Sequence, residues 1–96
     1  SIADVLVLPM DDNATEKAYA VASKLRLNGL NCQVYLEDKK FKNKINYADK
    51  LKIPFIIIIG QDELDNGYVT LKDMFNFNQT QVQDADIVNT VKSKLQ

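Results

Sequence analysis

The chain has 96 residues, enough for one domain with its own core and too few for two. It is 46% hydrophobic and 26% charged, which excludes a disordered segment, and its net charge of −1 excludes a globally basic nucleic-acid binder. With no histidine there is no His-based catalysis or metal ligation, and a single cysteine, Cys32, cannot form an internal disulfide.

The chain opens Ser1-Ile2 without methionine, so we expect residues 1–96 to be a single domain excised from a longer protein. No stretch reaches the roughly 18 apolar residues of a membrane span. "VLVLPM", Val5 to Met10, reads as a strand buried on both faces. In the following helix Asn13 and Glu16 fit a capping box. Ala18, Val21, Ala22 and Leu25 form its inner face, and Gly29 sits at its C-terminal end.

"CQVYLE", Cys32 to Glu37, alternates as a half-buried or edge strand, with Cys32 a small buried hydrophobe. The next helix is expected over about Lys40 to Leu51. Phe41, Ile45, Ala48 and Leu51 lie inward, and Lys42, Asn46 and Lys50 form an exposed row. Pro54 ends it and starts "FIIIIG", whose β-branched run predicts a central strand. "QDELDNG" is a turn or a single helical turn, "YVTLKDM" a strand, "FNFN" a turn and Gln79 to Gln83 a weak polar strand. A capped helix closes the chain with Ile87, Val88, Val91 and Leu95 inward.

The order β-α-β-α-β-β-β-α predicts an α/β fold with a mixed five-stranded sheet and three helices. Three strands are parallel and two short connections add antiparallel strands at one edge. No Gly-rich phosphate loop or activated nucleophile is present. Asp11-Asp12, Glu37-Asp38 and Asp62-Glu63 each follow a strand and could in principle form a Mg²⁺ site. Capping and dipole compensation at the following helices account for them more simply. No catalytic or metal site is expected. What remains is a local basic surface: Lys39, Lys40, Lys42, Lys44, Lys50 and Lys52 crowd into fourteen positions, beginning in a loop after a strand. In open α/β sheets ligands sit at that rim, and lysine at this density attracts phosphate. Lys42, Lys44 and Lys50 are assigned to phosphate positioning.

"ADVLVLPM", "VYLEDKKFKNKINYADKLKIPFIIIIG" and "DELDNGYVTLKDM", in this order and spacing, resemble the C-terminal anticodon-binding domain of class II aminoacyl-tRNA synthetases. "NYADKL" and "VTLKDM" resemble the histidyl branch; threonyl and prolyl relatives share "KIPF…G" and "DEL…G". The resemblance covers essentially the whole chain. It implies a cytoplasmic parent, expected as a homodimer, whose separate catalytic domain uses ATP and Mg²⁺ while this domain binds the anticodon loop of histidine tRNA without a cofactor. Carried over by position, Pro9 and Met10 at the end of the first strand meet anticodon bases. Glu37, Asp38, Lys39 and Lys40 supply polar contacts, Glu63 reads a base edge, and Lys72 is the basic residue of the fourth strand.

This chain departs from the histidyl pattern at Asp38-Lys39-Lys40, where a Gly-Arg-Lys-like stretch is usual. Lysine lacks arginine's bidentate fork, which weighs Lys39 toward a phosphate contact. The tip Phe75 to Asn78 lacks the usual glycine. Phe75 and Phe77 are read as packing or domain contacts, with RNA stacking the alternative. Tyr35, Tyr47 and Tyr68 are read as packing, with RNA stacking the alternative. Rival readings of the whole chain are a synthetase-like, non-catalytic protein-interaction or regulatory module, or the equivalent domain of a threonyl or prolyl relative.

Overall fold

The computed structural model describes residues 2–96; Ser1 lies outside them. β1 (Val5–Pro9) leads through a 3-10 turn at Asp12–Ala14 into α1 (Thr15–Leu27). Then come β2 (Cys32–Val34), α2 (Phe41–Lys50), β3 (Phe55–Ile59), α3 (Gln61–Asn66), β4 (Tyr68–Asp73) and β5 (Asn78–Gln83). A second 3-10 turn at Asp84–Asp86 precedes α4 (Ile87–Leu95). The strands form one sheet in the order β2-β1-β3-β4-β5. β1 pairs in parallel with β2 and β3, whereas β3–β4 and β4–β5 are antiparallel. This is the mixed sheet that the strand and helix order predicts.

β3 sits at the centre because its residues satisfy both faces. Phe55, Ile57 and Ile59 join the cluster built with Ala18, Val21, Leu25, Ile87 and Val91 under α1 and α4. Ile56 joins Leu6, Leu8, Tyr35, Ala48 and Ile53 on the opposite face. Each fully buried aliphatic side chain contributes about 1.5–3 kcal/mol relative to its exposed form.

Several local expectations change. The cap at the first turn is Asp11, whose carboxylate accepts the Asn13 N–H at 2.9 Å; the Asn13–Glu16 capping box does not form. α1 does end before Gly29, whose φ of +84° is open only to a residue without a Cβ penalty. β2 stops at Val34 instead of Glu37, because Tyr35 turns into the core while Leu36 points to solvent. Cys32 is half-buried against the first cluster. "QDELDN" is a six-residue helix, a fourth helix where a turn or a single helical turn is expected. The inward face of α2 is Lys44, Ala48 and the half-buried Ile45 and Leu51, with Phe41 left 41% exposed. Leu95 is exposed, since α4 is anchored only through Ile87, Val88 and Val91.

Candidate nucleic-acid interface

At the carboxyl ends of β1 and β2 the surface opens into a cavity of about 550 Å³. Pro9 and Met10 from the end of β1, and Tyr35, Leu36, Glu37 and Asp38 after β2, form two of its walls. Asp11, Asp12, Thr15 and Lys44 complete it. Four carboxylates and one ammonium therefore share the lining. Tyr35 is the floor: its ring meets Tyr47 edge-on at a centroid distance of 5.1 Å, and Lys44 Nζ stands 6.0 Å from its centre. Burial pushes the Tyr35 pKa up, and the Glu37 carboxylate, which its hydroxyl hydrogen-bonds, adds to the rise. The phenol stays a neutral donor at physiological pH.

The cavity gathers Pro9, Met10, Glu37, Asp38 and Lys44 from the predicted set. Pro9 is buried and Met10 is 41% exposed. Lys39, Lys40 and Lys42 stand exposed along the loop and the first turn of α2. Lys50 is exposed at the opposite end of that helix, roughly 9 Å from Lys44 along the axis. Lys44, expected among the phosphate-positioning lysines, is only 8% exposed. Its side chain lines the cavity wall, with the ammonium over the Tyr35 ring. Lys72 lies mid-strand, opposite Ile56 on β3 and Gln79 on β5, outside the cavity.

Glu63 is not a free carboxylate. Its Oε1 accepts the Gly60 N–H at 2.7 Å, and its Oε2 accepts the Thr70 hydroxyl at 2.9 Å. This closes the N-terminus of α3 and ties it to β4. Gly60 permits the approach: a Cβ there would lie 3.2 Å from Glu63 Oε1 and 3.6 Å from Met10 Cγ. Lys17 fixes the same corner from α1, donating to the carbonyls of Glu63 and Tyr68 at 3.1 Å each. Its ammonium also lies 3.1 Å from Asp84 Oδ1, an ionic contact without hydrogen-bond alignment.

Sequence reading missed Tyr35, Asp11, Asp12, Thr15, Lys17 and Thr70 as parts of the site or its frame. The two aspartates were visible but were weighed only as caps or as a Mg²⁺ site, with capping preferred. Among the described residues no group of three or more His, Cys, Asp or Glu side chains is placed to hold a metal ion, and no helix is long and apolar enough to cross a membrane.

A five-stranded mixed sheet with an acceptor-rich cavity at its carboxyl rim and lysines outside it defines a small open α/β binding module. The comparisons with known proteins agree: the anticodon binding domain family matches residues 4–94, and the chain belongs to that family. Its sequence is most informative at the next level. It is 40% identical over 93 residues to the histidine–tRNA ligase of Clostridium tetani, covering 97% of this chain and 21% of that enzyme. Over 92 residues it is 34% identical to the Pyrococcus furiosus histidine–tRNA ligase, covering 96% of this chain and 21% of that enzyme. The histidyl-tRNA synthetase structure from Nostoc sp. PCC 7120 superposes with a TM-score of 0.96 at 32% identity, covering 100% of this chain and 23% of that one. The chain is thus the counterpart of the anticodon-binding domain of histidyl-tRNA synthetase, and it spans about a fifth of the length of these relatives.

Proposed function

We propose that the chain binds the anticodon stem-loop of histidine tRNA and so helps a histidine–tRNA ligase select its substrate. The parent would be a cytoplasmic homodimer. Its catalytic domain, elsewhere in the same chain, would use ATP and Mg²⁺ to activate histidine. The observation that carries the reading is the charge division at the sheet rim. The cavity is lined by Asp11, Asp12, Glu37 and Asp38, so it repels phosphate; Lys39, Lys40 and Lys42 stand outside it and attract phosphate.

A carboxylate only accepts hydrogen bonds, so the cavity suits the N–H donors on the edge of an unstacked base, with Lys44 beside them for a carbonyl oxygen. Pro9 and Met10 offer the apolar wall against which a base face packs. Lysines on the rim would position the loop, and the cavity would read it. Glu63, with both oxygens engaged, serves this site by holding α3 and Gly60 against Met10. Lys72 extends the basic surface onto β4.

Titrating the chain with fluorescent anticodon stem-loops of histidine tRNA and of an unrelated tRNA, at low and high salt, tests this. Preference for the histidine loop, weakening steeply with salt, is expected. Lys72→Ala should reduce the preference. Absence of binding to either RNA at low salt would overturn the reading.

A further inference from the structure

The β4–β5 hairpin carries features that its folding leaves unexplained. Phe77 is 88% exposed and sits at φ +57°, a left-handed conformation that disfavours bulky side chains. Glycine would relieve it, yet phenylalanine occupies the position. Phe75 beside it is 60% exposed. The turn is nevertheless firmly built: Asp73 Oδ1 accepts the N–H groups of Phe75 and Asn76 at 3.0 Å, and its Oδ2 accepts Asn76 Nδ2 at 2.9 Å. The tip is therefore a fixed display of two rings.

Beyond the tip, the register sets Gln79 opposite Lys72 and Gln81 opposite Thr70, which places these four side chains on one face of the sheet. The cluster under α2 covers β1 and β3 on that face and takes no residue from β4 or β5. Among the described residues the Gln79 and Gln81 side chains make no hydrogen bond within the protein, and both are exposed. Lys72 is the charged side chain among these four, while the Glu63 carboxylate accepts the Thr70 hydroxyl at 2.9 Å at the end away from the tip. A protein-docking patch would be contiguous and apolar. Here the two exposed rings are followed on β5 by the exposed amides of Asn78, Gln79 and Gln81.

We infer that the β4–β5 hairpin is a second RNA-contacting surface, on which Phe77 stacks against an unpaired base and Gln79 and Gln81 read base edges beside Lys72. A ring stacks on any base, and an amide offers a donor and an acceptor side by side. The inference rests on the anticodon-loop reading above and adds residues that lie outside the carboxyl-rim cavity.

The chain has no tryptophan, so Phe77→Trp gives a single reporter at the tip. Its emission should be quenched by the histidine anticodon stem-loop, saturating in step with the anisotropy of labelled RNA. Phe77→Gly should raise the melting temperature by releasing the left-handed strain and weaken RNA binding about tenfold, the effect of one lost stack. Gln81→Ala should weaken binding by the same factor at low and high salt, because no phosphate contact is lost. Unquenched emission from Trp on an RNA that anisotropy shows to be bound overturns the inference. So does wild-type affinity in Phe77→Gly, which would assign the rings to protein docking. If the unaltered chain binds no RNA at all, the anticodon reading itself fails.

Discussion

The Thr70 hydroxyl on β4 donates to Glu63 Oε2 at 2.9 Å, while the other oxygen of the same carboxylate takes the Gly60 N–H at 2.7 Å. One side chain thus fastens the end of β3, the start of α3 and the middle of β4. Glu63→Gln cannot accept at both positions, and it should lower unfolding free energy by about 1–2 kcal/mol, the worth of a lost helix cap. Thr70→Val should be non-additive with it by more than about 0.5 kcal/mol in urea titrations. A free base-reading Glu63 would instead change RNA preference and leave the urea midpoint where it was.

Lys44 and Lys42 are two positions apart and should behave differently. Lys44→Met keeps the packed stem and removes the ammonium beside Tyr35. The melting temperature should hold while discrimination between loop sequences falls. Lys42→Ala should weaken all RNAs alike and reduce the salt slope by about 0.7, as for one lost single-strand phosphate contact. Identical behaviour of the two variants would contradict the division between cavity and rim.

The hairpin should loosen in acid. Its hydrogen bond from the Asn76 side chain, then those from the Asn76 and Phe75 N–H groups and the Lys94 charge, hold the Asp73 pKa below its ordinary value, against the opposing effect of burial. A carboxylate whose pKa is depressed by folding stabilises fully above its unfolded value, about 3.9, and loses that contribution as pH falls through the lower folded value. Thermal unfolding between pH 5 and pH 2 (about the range of that titration) should therefore show a drop that Asp73→Ala lacks.

Cys32 should be slow to react. Burial, partly opposed by Arg26 and reinforced by Asp4, pushes its thiol from 9.0 up to about 11. The folded state prefers the protonated thiol, so the stabilising term is complete below the unfolded pKa and fades as pH rises toward 11. At pH 8, below the ordinary value of 9.0, iodoacetamide should label the urea-unfolded chain quickly and the native chain slowly, by mass spectrometry. Equal rates would mean that Cys32 is open to solvent in the fold.

The mixed five-stranded sheet and the central place of β3 were legible in the chain. Apolar runs, a proline before "FIIIIG" and short polar connections leave few ways to bury five isoleucine and phenylalanine side chains. The rotation of α2 was not. Phe41 and Lys44 are three residues apart, and helical spacing suits either as the inward residue. Only the sheet decided it, because Tyr35 leaves the β2 alternation and offers its ring to the Lys44 ammonium.

The residues at the site divide the same way. The sequence by itself determined which chemistry was available: lysines after β2, paired carboxylates at strand ends, and no histidine. Composition and local spacing suffice for that. Tertiary structure alone decided which of those groups are free to act. Asp11 and Asp12 face a cavity made with Glu37 and Asp38 from another strand end, while Glu63 is consumed by Gly60 and Thr70. Those partners lie on separate segments, and a hydrogen bond between segments is set by packing distances that no periodicity encodes.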